Sequence, residues 1–122
     1  MLFFADSYAL VAFIRGSENY RPYFVDHEIV TTRMNLFELY YSLLLDGTPD
    51  DAKKYYYGFL QKTAEVPDEV IERAAHFRFQ NKKAGLSYVD ALGYEMSRHL
   101  NAVFLTGDNQ FKGHPNIEFV KE

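Results

Sequence analysis

The sequence predicts an α/β domain of three layers, α/β/α, with a mostly parallel central sheet. Three observations carry this expectation. Short apolar runs at Leu2–Ala5, Ile29–Thr32, Ala102–Thr106 and Ile117–Val120 have the length and composition of buried strands. Stretches with helical spacing and helix-start residues separate them. Strands that alternate with helices along one short chain favour a parallel sheet covered on both faces.

Leu2–Ala5 leads directly into Asp6–Ser7, after which Ala9, Leu10, Phe13 and Ile14 recur at helical spacing. Gly16–Asn19 breaks that helix. Tyr20–Val25 reads as a short amphipathic turn around Pro22. Ile29–Thr32 is β-branched throughout and reads as the second strand. Met34–Leu45 is the most apolar helix, with Glu38 its only charge and Asp46–Gly47 closing it.

Thr48 and Pro49 begin another helix, one as cap and the other in the first turn. Its Asp50–Lys54 run suggests a solvated face, with Tyr55, Phe59 and Leu60 turned inward. Ala64–Val66 reads as a short edge strand. Pro67–Asp68 opens a helix with Val70, Ile71, Ala74, Ala75 and Phe77 on its inner side, ending near Gln80. Asn81–Gly85 is a basic loop, Ser87–Leu100 the last long helix, and Gly107–Gly113 the loop before the final strand.

At 122 residues the chain is expected to form a single domain over 1–122. An apolar fraction of 48% with 17% aromatics argues against disorder. The absence of cysteine excludes disulfides and thiolate metal sites and fits a reducing compartment. A net charge of −4 does not itself predict nucleic-acid binding. Bound divalent ions would change that local sign. Met1–Ile14 lacks a basic leader and a small-residue cleavage site, and Asp6 interrupts it, so a signal peptide is not expected. No stretch reaches the length of a membrane span, and the cytoplasm is the expected compartment.

Four acids fall at junctions of this pattern: Asp6, Glu38, Asp90 and Asp108. In open parallel sheets, ligands bind outside the carboxyl ends of the strands. Asp6 and Asp108 follow strands, and Glu38 and Asp90 lie at or near helix starts, so all four are expected at one edge. Each also has a structural reading. Asp6 can cap the helix beginning at Ser7. Asp90 stands three residues after Ser87, nearly a capping box. Asp108 can bond its own turn. Glu38 is least well explained, whether the cap is Asn35 or lies nearer Thr32. A lone carboxylate in so apolar a helix costs several kcal/mol, on the order of 3–5, if buried unpaired.

Gathered carboxylates repel one another and call for a cation. Oxygen-only ligands point to Mg²⁺ or Mn²⁺ rather than Zn²⁺. His27, His76, His99 and His114 show no paired ligand spacing. Ser7 and Thr106, beside Asp6 and Asp108, can orient a carboxylate or water, or simply bond their own turns. Lys82, Lys83, Arg15 and Arg98 are candidates to meet a phosphate backbone, against the commoner fate of solvated cations. Tyr55, Tyr56 and Tyr57 can stack bases, although helix packing explains them as well.

Four pieces resemble the PIN domain, the nuclease fold of the VapC-like toxins and of several RNA-processing enzymes. They are Phe4–Ala5–Asp6–Ser7, Asn35–Leu36–Phe37–Glu38–Leu39, Ser87–Tyr88–Val89–Asp90–Ala91, and Thr106–Gly107–Asp108–Asn109–Gln110–Phe111. Their order and spacing match across essentially the whole chain. Asn109 and Gln110 are neutral where some members carry another acid. The resemblance implies a metal-dependent endoribonuclease that hydrolyses RNA phosphodiester bonds with metal-activated water, often as a homodimer. It further implies a toxin neutralised by a small antitoxin protein. Metal-ligand roles carry over to Asp6, Glu38, Asp90 and Asp108, with Ser7 and Thr106 in support. The alternative is a catalytically inert PIN-fold module that binds RNA or protein. A receiver-type phosphoryl-transfer domain fits less well, because no acid pair follows the first strand.

Overall fold

A computed structural model describes residues 1–122. Four strands form one sheet: β1 (Leu2–Ala5), β2 (Glu28–Val30), β3 (Val103–Thr106) and β4 (Ile117–Phe119), in the order β2-β1-β3-β4. Every pairing is parallel, so the sheet is wholly rather than mostly parallel. The central strand β1 pairs Phe3 with Ile29 on one side and Phe4 with Phe104 on the other.

Six α-helices connect and cover the strands: α1 (Ser7–Ile14), α2 (Arg21–Val25), α3 (Arg33–Asp46), α4 (Pro49–Phe59), α5 (Asp68–Gln80) and α6 (Tyr88–His99). The caps follow local chemistry. The Asp6 carboxylate accepts from Ala9 N, the Thr32 hydroxyl from Asn35 N, and the Thr48 hydroxyl from Asp51 N. Thr32, not Asn35, therefore starts the helix that carries Glu38.

The sheet separates two cores. On one side Phe3, Ala5, Leu10, Ile29, Leu36 and Leu105 pack with α1 and α3. On the other, Phe4, Val70, Tyr94, Met96, Phe104 and Phe111 pack with α5 and α6. Side chains that alternate along β1, Phe3 and Ala5 against Phe4, feed opposite layers, as strand geometry requires.

Several expectations need correction. Ala64–Val66 is not an edge strand; its neighbourhood contributes a single parallel bridge between Thr31 and Thr63. Tyr20–Val25 contains a short helix, Arg21–Val25, rather than a turn. Asn81–Gly85 is a 3₁₀ turn over Lys82–Ala84, closed by Gly85 at φ 75°. Ile71 and Ala75 face outward, because α5 turns only Val70 and Ala74 fully into the core. No helix is long and apolar enough to cross a membrane.

Candidate active site

The carboxyl edge of the sheet is where the four acids are found. Asp6 follows β1 directly, and Asp108 follows β3 by two residues. Glu38 lies in the second turn of α3, whose N-terminus leaves β2 at this edge. Asp90 arrives by another route. Its helix precedes β3, so α6 runs down toward the start of that strand and leaves its own N-terminus at the edge.

Each carboxylate is held by hydrogen bonds, Asp90 and Asp108 by local ones, Glu38 by a distant residue and Asp6 by one of each kind. Asp6, only 4% exposed, accepts from Ala9 N at 2.8 Å and from the Thr106 hydroxyl. Glu38 Oε1 accepts from the Ser7 hydroxyl. Asp90 completes a capping box, accepting from Ser87 N at 2.9 Å while its own N–H donates to Ser87 Oγ at 3.0 Å. Asp108 Oδ1 accepts from Gln110 N at 3.0 Å, and Asp108 N donates to Thr106 Oγ1 at 3.0 Å.

The charges act on one another. Burial pushes the Asp6 carboxyl up to about 7, against the hydrogen bonds from Thr106 and Ala9 and with help from Asp90 and Asp108. Burial raises Glu38 as well, opposed by the Ser7 bond and reinforced by Asp90. Asp90 is raised by burial and by Asp108, against its bonds to Ser87. Three carboxylates at one edge are therefore costly to ionise together, which is the condition a bound cation relieves.

No three His, Cys, Asp or Glu side chains close to the spacing of ligands round a single ion. Mg²⁺ keeps several waters and uses one or two carboxylates with substrate phosphates. The donor set, all hard oxygen with free lone pairs, suits Mg²⁺ or Mn²⁺.

The cationic candidates separate. Lys82 and Lys83 sit in the 3₁₀ turn before α6, with Lys82 Nζ 5.1 Å from the Phe79 ring centroid. Gln110 Nε2 donates to Gly85 O at 3.3 Å and ties this turn to the Asp108 loop. From Arg73 to Val89 the chain holds no acid, while Arg73, Arg78, Lys82 and Lys83 fall within it. Arg15 ends α1, pairs with Asp46, and lies 3.9 Å from Glu122. Arg98 is in the last turn of α6, about 12 Å along the helix from Asp90 at 1.5 Å per residue, and it faces Glu95 at 3.7 Å. The turn of Lys82 and Lys83 thus adjoins the head of α6, with Lys82 over Phe79, while Arg98 lies at the far end of that helix and Arg15 lines the groove that reaches Glu38.

Sequence reasoning gave three residues no role at this site. Tyr8 lies against Gly107, whose missing side chain makes room for the ring. Lys121 Nζ donates to Gly107 O at 2.7 Å. Asn35 Nδ2 donates to Ser7 Oγ at 3.2 Å. Only Asn35 left a local signal, its i, i+3 spacing from Thr32.

Solved structures share the fold. VapC20 of Mycobacterium tuberculosis, a sarcin–ricin loop cleaving toxin, superposes with a TM-score of 0.77 at 15% identity, over 100% of both chains. A toxin–antitoxin complex from Klebsiella pneumoniae gives 0.74 at 13% identity, over 95% of each chain. VapBC2 from Rickettsia felis, bound to a DNA fragment from its promoter, gives 0.72 at 18% identity, over 98% of each. No curated protein matches in sequence. The family model of the PIN domain matches residues 3–116, nearly the whole length, and the chain belongs to the PIN domain family.

Proposed function

We propose that this chain is a divalent-metal-dependent endoribonuclease, with Asp6, Glu38, Asp90 and Asp108 as the residues that hold Mg²⁺ or Mn²⁺. The observation that supports this most is the gathering of four acids at one sheet edge, with Asp6, Glu38 and Asp90 raised first by burial and then by the charges of Asp90 and Asp108. Bound there, a divalent ion would offset charge on a phosphodiester and acidify a water for attack. The chain's own groups do the rest. Thr106 orients Asp6 and Ser7 orients Glu38. Ser87 holds Asp90 through its backbone N–H. Lys82 and Lys83, on the acid-free stretch beside the edge, bind the RNA backbone.

The test uses a fluorescent single-stranded RNA with purified protein. Cleavage is expected with Mn²⁺ or Mg²⁺ and is lost with EDTA and in Asp6→Asn. Undiminished Mn²⁺-dependent cleavage by Asp6→Asn would overturn this site.

The same reading makes the protein the toxin of a toxin–antitoxin pair, acting in the cytoplasm as a homodimer. Toxin–antitoxin assemblies among the structural neighbours support it. So does the outer face of α3, where Met34, Phe37, Tyr41, Leu44 and Leu45 stand exposed, Phe37 by 63%. A groove of about 690 Å³ runs beside this stripe from Ser7 and Glu38 to Arg15. A small protein seated there would cover the approach to Glu38. Expression in cells with and without Asp90→Asn, scoring growth arrest and RNA ends, tests the toxin role. Cleavage without arrest would point to RNA processing.

One feature favours a second reading, an inert module. All four carboxylates already have hydrogen-bond partners within the chain, and Asp90 sits in a complete capping box. Calorimetry with Mn²⁺ discriminates, because an inert module binds none.

A further inference from the structure

We propose that Asn35 is a positioning residue for Glu38 and that it acts through the Ser7 hydroxyl; the consequence for metal binding rests on the reading of Glu38 as a ligand. Four groups form a directed chain from the start of α3 to the acid edge. Thr32 Oγ1 accepts from Asn35 N at 3.3 Å and donates to Asn35 Oδ1 at 2.6 Å. Asn35 Nδ2 donates to Ser7 Oγ at 3.2 Å, and Ser7 Oγ donates to Glu38 Oε1.

The direction follows from counting protons. A hydroxyl has one to give. Thr32 commits its proton to the amide oxygen, which turns the amide nitrogen toward Ser7. Ser7 accepts from that nitrogen, so its own proton is free for Glu38. With the amide reversed, Oδ1 would face Ser7, draw the serine proton to itself, and leave Glu38 without its donor. The donor that reaches Glu38 is therefore set at Thr32, six residues earlier on the same chain. Thr32 and Asn35 are 1% and 2% exposed, so bulk water does not compete for the bonds between them.

Helix formation alone does not account for this amide. The cap needs only a backbone N–H at position 35, which any residue but proline supplies. Asparagine is a poor helix former, and its buried side chain must find partners for both ends. It finds them in Thr32 on its own helix and in Ser7 on α1. The relay thereby joins α1 to α3 at the height of Asp6 and Glu38.

A double-mutant cycle on the metal-free full chain tests this, with Mn²⁺ alone as the calorimetric probe and thermal melts recording folding. Ser7→Ala and Asn35→Ala are each expected to weaken Mn²⁺ binding about tenfold, as loss of a ligand's supporting bond does. The double variant is expected to be no weaker than the worse single one. Multiplying losses, or an Asn35→Ala affinity within twofold of wild type, would overturn the proposal. If Asn35→Ala does not fold, Asn35→Asp takes its place. It is nearly isosteric but offers Ser7 only acceptors, so the same loss is expected. Wild type that binds no Mn²⁺ sinks the metal reading alone. Metal-free crystal structures then decide the relay. A Glu38 carboxylate that leaves Ser7 in the variant supports it, and one that stays in place overturns it.

Discussion

The Thr106 hydroxyl donates to Asp6 across neighbouring strands, at the register position just past the Ala5–Leu105 pair. The same oxygen accepts from Asp108 N, so one side chain braces the two acids that end β1 and β3. Asp6 is so deeply enclosed that this bond does not keep its carboxyl in the ordinary range; it rises from 3.8 to about 7.

The sign of the resulting pH dependence is fixed. Between about pH 4 and 7 the folded chain keeps a proton on Asp6 that the unfolded chain has released. Stability therefore falls as pH rises through that window and levels off above 7. Ionising Asp6 in the folded chain therefore costs on the order of 4 kcal/mol. Raised Glu38 and Asp90 add in the same direction. Metal-free Asp6→Asn is expected to melt above wild type at pH 8 and near it at pH 4. Under the metal reading, Mn²⁺ raises the wild-type melting temperature more at pH 8 than at pH 5. A wild-type stability that climbs from pH 4 to 8 would contradict the burial of Asp6.

Gly107→Ala is expected to destabilise the fold by about 1–3 kcal/mol, as overpacking does. A Cβ there would overlap the Tyr8 ring and stand 2.5 Å from the Val120 carbonyl oxygen. The ring is a side chain and can move; the carbonyl belongs to backbone bonded to Thr106 O through Val120 N at 2.9 Å. Tyr8→Ala in the same chain should therefore recover only part of the loss in urea denaturation. Full recovery would place the strain on the ring alone.

How much of this was legible in the sequence depends on the range of each interaction. Strands such as Leu2–Ala5 announce themselves because burial on both faces requires a continuous apolar run. The Ser87–Asp90 box is local, so its pairing could be read directly, and Asp90 forms it without the longer Glu side chain. Ala64–Val66 failed because its apolar character serves packing against the second core, while its tie to the sheet is one bond, Ala64 N donating to Thr31 O at 2.9 Å within the Thr31–Thr63 bridge. Ile71 and Ala75 failed for a rotational reason. Both lie on the helical stripe with Val70 and Ala74, and a small turn of α5 exposes one edge of it. The Asn35–Ser7 bond was out of reach, since its partners are 28 positions apart and no local pattern links them.

Asp90→Asn and Ser87→Ala should separate capping from binding at the head of α6. Asparagine can still accept from Ser87 N, so Asp90→Asn is expected to hold stability within about 1 kcal/mol while losing Mn²⁺ affinity and RNA cleavage. Ser87→Ala removes the hydroxyl that accepts from Asp90 N, costing about 1 kcal/mol, and retains Mn²⁺ binding. Calorimetry and thermal melts on the two proteins report both quantities. Equal losses of affinity in the two variants would make the carboxylate's role purely structural.

Under the proposed function Lys82 and Lys83 meet the RNA backbone, and salt dependence can count their contacts. Each phosphate neutralised on a single strand contributes about 0.7 to the slope of log affinity against log salt. Lys82→Ala with Lys83→Ala should lower that slope by about 1.4 in EDTA, where labelled RNA binds without being cut. Folding should be unaffected, because neither residue belongs to the buried core. Arg98→Ala serves as the control, since its guanidinium faces Glu95 at the other end of α6. If Arg98→Ala lowers the slope and the lysine pair does not, the RNA follows the far end of α6 rather than the turn beside Asp108.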